Sequence, residues 1–361
     1  MYCILAMIAA VRYRQTCRLT VRESHTGISI LKPLSGVDEE LECNLRSYFE
    51  QDYQDFELLF AVRTAEDKAG LMVRGLQQEF PNVRARLLLT GEPPYPHDKV
   101  YKLQRMLSLA RFELVVMSDS DVRVGRDFCR SIAAEFEKSD LSLVTCPYRA
   151  VAGRAWWSKL EALSMNTDFH SGLFTAAMIE GTRFAVGPTI VARKDVLDAL
   201  GGMERVKDYL SSEDFMLGQI AAEEGFRVGF SSYVVEHRIG SETFRQNMSH
   251  RLRWARTTRR SRPWGYVGQF FTYPAAALLC ICCVGPQWKM LALVTTVLRL
   301  LQAWTVSDYV LRARVPWLLL PFQDLFSFGF WFAGFFGKTI QWRGRRYILN
   351  RDGTLQVAAG Q

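Results

Sequence analysis

The stretch ELVVMSDSDVRV, Glu113 to Val124, runs from an apolar strand, Leu114 to Met117, into Ser118, Asp119, Ser120 and Asp121. A carboxylate pair at the mouth of a buried strand is costly unless something pairs with it. In an extended chain side chains alternate, so Asp119 and Asp121 are expected on one side and Ser120 on the other. Two carboxylates converging there can share a hard divalent cation, Mg2+ or Mn2+, which keeps open positions for a diphosphate. A polar strand end capping a turn has the same letters, so the short motif must be weighed with the rest of the chain.

Two further stretches carry chemistry. YLSSEDFMLGQIAAEEG places Glu213 and Asp214 at the start of an amphipathic helix, with Ser211 or Ser212 as its N-cap, so a carboxylate can face a sheet edge. Acids opening a helix also simply complement its dipole. ETFRQNMSHRLRWARTTRRSRP carries Phe244, Met248 and Leu252 at four-residue spacing with arginines beside them. That pattern predicts an interfacial helix on anionic lipid, some of whose arginines can grip a phosphate. A solvated basic face is the plainer alternative.

The elements that must position these residues are legible between Gly27 and Thr145. GISILKPL, FELLFAVR, VRARLLL and LVVMSDS read as strands; DEELECNLRSYFEQ, AEDKAGLMVRGLQQEFP and KVYKLQRMLSLA between them read as helices. This alternation predicts βαβ units, a mostly parallel sheet and an α/β fold. Ligands bind such sheets at the carboxyl ends of the strands, where Asp119 and Asp121 stand.

The formal net charge of +8 admits nucleic acid, an anionic membrane or an anionic substrate as partner. Apolar residues make up 49% of the chain and concentrate after Pro263, which favours the membrane and leaves a nucleic-acid binder without an account of that tail. GYVGQFFTYPAAALLCICCVG and MLALVTTVLRLLQAWTV are each about long enough to span, the second carrying Arg299 near its middle. VPWLLLPFQDLFSFGFWFAGFFG is broken by Pro and Gly and flanked on both sides by basic clusters, so it is expected to be re-entrant or interfacial. The N-terminal MYCILAMIAAVRYRQTCR is too short to cross and resembles the end of a spanning helix whose basic flank faces the cytoplasm. The eight cysteines, three of them within an apolar run, are expected to be reduced. The expected organisation is an anchor over 1–20, a catalytic domain over 21–262 and a membrane region with a basic tail over 263–361, the catalytic domain facing the cytoplasm.

An ordered set of motifs resembles the ceramide glucosyltransferase family, inverting glycosyltransferases of the GT-A fold. It comprises ILKPLSGVDEELECNLRSYFEQDY, AED after a strand, DSDVRV, GPTIVARKDVLDALGG, SSEDFML and HRLRW, then hydrophobic segments and WRGRRY, and covers the chain from Ile28 to Tyr347. The resemblance implies that Asp67 lies near the nucleoside of a UDP-sugar donor and that Asp119 and Asp121 hold the metal and diphosphate. It implies that Asp214 is the general base beside Glu213, and that Arg253 and Trp254 contact the diphosphate and acceptor side. Lys99 in HDKVYKL matches a family lysine, and a solvated helix-start lysine reads equally well. The chain departs from the pattern at His250, where the family carries Gln or Arg, and in its short N-terminal anchor. The implied reaction is displacement at the anomeric carbon by a lipid hydroxyl, Asp214 taking the proton, with inversion to a β-linked glycolipid. Ceramide with UDP-glucose is the expected pair. A hopanoid with UDP-GlcNAc, acceptors that RAWWSKLEALSMNTDFHSGLF could equally line, is the alternative; a catalytically silent lipid-binding scaffold belongs to another class. A processive polysaccharide synthase fits less well, since those carry more spanning helices.

Overall fold

The computed structural model describes residues 1–16, 25–137, 139–209, 212–241, 243–274, 278, 286–342, 345–350 and 355–357. The chain divides into two compact units. A sheet unit comprises Thr16–Tyr148 and Glu180–Gly240; a helical unit comprises Met1–Gln15, Arg149–Ile179 and Ser241–Gln361.

The sheet unit is built on β1 (Ile28–Pro33), β2 (Phe56–Val62), β3 (Ala85–Leu89) and β4 (Leu114–Ser118), all parallel. β2 and β4 are buried along their whole length, which is why these strands read as continuous apolar runs rather than alternating ones. Helices α2 (Leu41–Phe49), α3 (Lys68–Glu79) and α4 (Asp98–Leu107) connect them. α4 sinks Val100, Leu103, Met106 and Leu107 into the same core as Leu31, Leu59 and Val115. At this spacing the four residues form one stripe of a helix face. Beyond β4 the sheet continues with β6 (Thr189–Arg193), antiparallel, then β5 (Leu143–Thr145) and β7 (Val228–Phe230), giving seven strands in all.

The order places β1 between β2 and β4, so the chain winds outward in both directions from β1. A crevice opens at such a switch point outside the carboxyl ends of the strands. A later helix, α5 (Glu213–Glu223), brings its N-terminus to that crevice. α5 can lie so close because its residue 218 is glycine. A Cβ there would sit 2.1 Å from the backbone nitrogen of Ala185.

In the helical unit, α1 (Tyr2–Thr16) stacks Tyr13 on Phe174 at 4.6 Å. The basic stretch forms the helix Phe244–Ser261, opened by a capping box between Thr243 and Gln246. Its buried positions are Asn247, Arg251 and Thr257, while Phe244, Met248 and Leu252, the stripe expected to lie on lipid, are not buried. Asn247 and Arg251 have partners inside the unit. Asn247 Nδ2 donates to Glu161, and the Arg251 guanidinium lies over the rings of Phe326 and Phe330 at 5.0 and 4.8 Å. Phe244 stays half-exposed against Trp156 and Trp157.

Among the described residues one helical run, Lys289–Val310, is long and apolar enough to cross a bilayer. Of the first apolar segment expected to span, 265–285, residues 275–277 and 279–285 lie outside the described residues, and the part before them forms the short helical turns Pro263–Gly268 and Gln269–Thr272. The third forms a helix of 15 residues, Leu320–Gly334, short of the roughly 20 a crossing needs. Cys3, Cys43, Cys129 and Cys146 are free thiols.

Candidate active site

The crevice is lined by Lys99, Ser118, Asp119, Glu213 and Asp214 among others. β4 ends at Ser118, and the chain then turns: the Val122 N–H donates to the carbonyl of Asp119 at 3.3 Å. Asp119 and Asp121 therefore belong to a turn and not to an extended strand, so strand alternation does not place them. The turn is held from several sides. Ser120 Oγ donates to Asp38 at 2.8 Å, the Asp121 carbonyl accepts from the Arg238 N–H at 2.7 Å, and the Asp119 carbonyl accepts from Lys32 Nζ at 2.6 Å.

The side chains of the turn face different partners. Asp119 Oδ1 pairs with Lys99 Nζ at 2.7 Å, and Lys99 also reaches Glu213 Oε1 at 3.2 Å. Lys99 is thus a bridge inside the crevice, not a solvated lysine at a helix start. The other oxygen of Glu213 lies 3.5 Å from His97 Nε2. Asp121 Oδ2 pairs with His237 Nε2 at 3.1 Å. Asp214 receives the Phe215 N–H on Oδ1 at 2.8 Å and the Gly187 N–H on Oδ2. Ser212 stands at the N-cap position of α5 without a side-chain cap hydrogen bond, and Ser211 lies outside the described residues.

These surroundings split the acidities of four carboxyl groups. Burial pushes Asp214 up to about 6, helped by the negative charge of Glu213 and opposed by Lys99. Burial also raises Asp119 against the pull of Lys99. Burial works on Glu213 in the same sense, but Lys99 and His97 outweigh it and hold Glu213 well below the usual carboxylate range. In Asp121 burial is likewise overcome, by His237 first and then Lys32, so its carboxyl is lowered. Titratable neighbours driven apart in this way are a mark of acid–base sites.

The Oδ1 atom of Asp121 is buried and accepts no hydrogen bond. With Asp119 within electrostatic reach, the donors on offer are hard carboxylate oxygens, a set that fits Mg2+ or Mn2+. Among the described residues no group of three or more His, Cys, Asp or Glu side chains forms a cage. Two carboxylates suit a cation whose remaining positions go to phosphate and water.

Asp67 caps α3 and ties it to the loop after β1, accepting from the Ala69 N–H at 2.9 Å and the Gly36 N–H at 3.1 Å. It is not among the residues lining the crevice. Arg253, Trp254 and His250 belong to the helical unit. There the His250 ring packs on Trp254 at 4.2 Å and its Nδ1 lies 3.6 Å from Glu161. Sequence reasoning passed over Lys32, His97 and His237. For Lys32 a signal existed: it is the one charged residue in the apolar strand ISILKP, and a buried lysine needs a partner.

The ceramide glucosyltransferases 1 and 3 of Caenorhabditis elegans are similar to this chain. The first is 29% identical over 230 residues, 63% of this chain and 49% of its own length; the second is 25% identical over 246 residues, 68% and 53%. The chain spans about half the length of these curated relatives. In fold it is similar to the mannosyltransferase PcManGT from Pyrobaculum calidifontis, solved with GDP-Man and Mn2+, at a TM-score of 0.50 and 16% identity, covering 86% of this chain and 98% of that one. The model of glycosyl transferase family 21 matches residues 1–355, and the chain belongs to that family.

Proposed function

We propose that this chain is a membrane-associated inverting glycosyltransferase that moves glucose from UDP-glucose to a hydroxyl of ceramide. Its sheet unit acts as a GT-A domain facing the cytoplasm, and its hydrophobic helices sit in or on the membrane. One observation carries the reading. At the switch point of the sheet, Lys99 joins Asp119 to Glu213 while Asp214 faces the same crevice with a carboxyl group raised to about 6. The family membership and the relatives named ceramide glucosyltransferase support the substrate class.

A lipid hydroxyl is a poor nucleophile near neutral pH, so its proton must leave as it attacks the anomeric carbon. Asp214 takes that proton. Each of its oxygens spends one lone pair on a backbone N–H, which orients the carboxylate and leaves the second lone pair for the hydroxyl. Glu213, ionised and bound to Lys99, keeps a negative charge beside Asp214 and so keeps it basic. Lys99 holds the Asp119 carboxylate in place and adds positive charge where the leaving diphosphate gains negative charge. Asp119 and Asp121 would hold Mg2+ or Mn2+, which when bound neutralises the diphosphate oxygens. The family resemblance assigns Asp67 to the nucleoside and Arg253 and Trp254 to the diphosphate and acceptor, and these assignments are part of the proposal. A single displacement inverts the α-linked donor to a β-linked product.

The test is a product assay on detergent-solubilised protein with Mn2+ or Mg2+, offering UDP-glucose and UDP-GlcNAc against ceramide and a hopanoid polyol, read by mass spectrometry. β-Glucosylceramide is the expected product. A hexosamine on the hopanoid would keep the mechanism and move the substrate. No product with any pair, together with no metal-dependent UDP binding, would retire the enzyme reading in favour of a silent scaffold.

A further inference from the structure

Lys32 lies on β1 with no solvent exposure. Its ammonium donates to the carbonyl of Asp119 at 2.6 Å and lies 3.4 Å from Ser118 Oγ and 3.9 Å from the centre of the Tyr48 ring. That carbonyl is the one that closes the Asp119–Val122 turn. Tyr48 and Thr189 in turn hold Ser118, through contacts of 2.7 and 3.0 Å to its hydroxyl. The ammonium is therefore seated behind the turn, on groups that are themselves fixed, and is not among the residues lining the crevice.

A buried lysine must be offset by specific partners, and a backbone carbonyl alone is a weak one. Burial lowers the Lys32 ammonium to about 7, and the carboxylates of Asp121 and Asp119 oppose it in part. The same contacts run the other way. Rotating the Asp119 peptide would break the 2.6 Å hydrogen bond, so Lys32 fixes the peptide from which both carboxylates are aimed. We propose that Lys32 is a positioning residue that holds the acidic turn in the geometry that binds the donor diphosphate, without touching the donor. This rests on the reading of that turn as the diphosphate site.

Lys32→Met keeps the length and apolar stem of the side chain and removes the ammonium. Two consequences oppose each other. Loss of the cation makes the crevice more negative, which by itself favours a divalent cation; loss of the clamp lets the turn relax, which disfavours it. Supporting groups behind ligands of this kind are typically worth about 10–100-fold in affinity. The experiment is titration calorimetry of UDP with saturating Mn2+ on the whole detergent-solubilised chain, alongside its thermal unfolding. UDP binding is expected to weaken about tenfold or more in the variant, and by the same factor KM for the donor sugar should rise more than kcat falls. Unchanged affinity in a folded variant, whatever its Tm, would show that Lys32 only fills the core; tighter binding would show that it is only a counter-charge. Either result overturns the proposal. If the Met variant does not fold, Lys32→Gln, a neutral side chain that keeps an N–H donor, carries the same comparison. Wild-type protein that binds no UDP in Mn2+ would overturn the diphosphate reading itself, and the role of Lys32 with it.

Discussion

Two buried charge clusters, one in each unit, use the same chemistry to opposite ends. In the helical unit Arg299 is closed in on itself. Its Nε and one Nη grip Asp324 at 3.0 and 2.6 Å, that same Nη donates to Asp168 at 2.5 Å, and the other donates to Gln302 at 2.7 Å. Every nitrogen of the guanidinium is spent, the cluster links three helical segments, and the Arg299 and Asp324 side chains are at most 5% exposed. In the sheet unit Asp119, Asp121, Glu213 and Asp214 gather around Lys32 and Lys99, Asp121 keeps an unused oxygen, and the cluster opens on a crevice. The difference teaches how to tell a structural ion cluster from a working one. Each cluster keeps one unused carboxylate oxygen, Oδ2 of Asp168 and Oδ1 of Asp121, so what separates them is closure around a fully used cation in the first and access from a crevice in the second.

That comparison can be broken in several ways. The largest effect should come from Asp214→Asn, which removes the base and should lower kcat by about 10²–10⁴-fold while UDP binding in Mn2+ stays near wild type. Asp119→Asn should instead weaken that binding; equal loss of binding in both variants would erase the division of roles. Next, Arg299→Met should cost about 3–5 kcal/mol of stability, because it leaves Asp168 and Asp324 buried without their cation. Denaturant unfolding in detergent measures this, and transfer per folded molecule should not change. A variant that stays stable but loses activity would make the helical cluster a working site as well.

The pH profile comes third. Asp214 acts as a base only when ionised, so transfer should fall on the acid side with a midpoint near the raised value of about 6. The stability contribution of the same group runs in the opposite sense. A carboxyl raised in the folded state stabilises it below the unfolded value, and this is lost as pH rises through about 6. A flat rate between pH 5 and 8 would remove Asp214 from the proton transfer. The smallest effect is expected from His250→Gln, which restores the family residue and keeps a side chain able to hydrogen-bond to Glu161. Complete inactivation would show that His250 has a role of its own.

Much of the sheet unit was legible from the chain. β1 to β4 and the helices between them follow from apolar runs and helix-period stripes such as Val100, Leu103, Met106 and Leu107, whereas the capping role of Asp67 emerged only in the structure. Asp119 and Asp214 could be picked out because a carboxylate at a strand end or a helix start is a local signal. The partition into units was less accessible. A contiguous reading divides the chain near 20 and 262, whereas the contacts gather residues 149–179 with the two ends of the chain. Asn247 and Arg251 show the same limit, since the partners that bury them, Glu161, Phe326 and Phe330, come from distant segments.

By itself, then, the sequence determined which residues form strands and helices and which carboxylates stand at their ends, because periodicity and capping act over a few neighbouring residues. Only the tertiary structure decided that Lys99 bridges Asp119 to Glu213, that His237 meets Asp121 and that Lys32 reaches behind the turn. Those partners come from segments far apart in the chain. Their meeting depends on the order of strands in the sheet and on the close approach that Gly218 permits, and electrostatic energy depends on distance in space rather than along the chain.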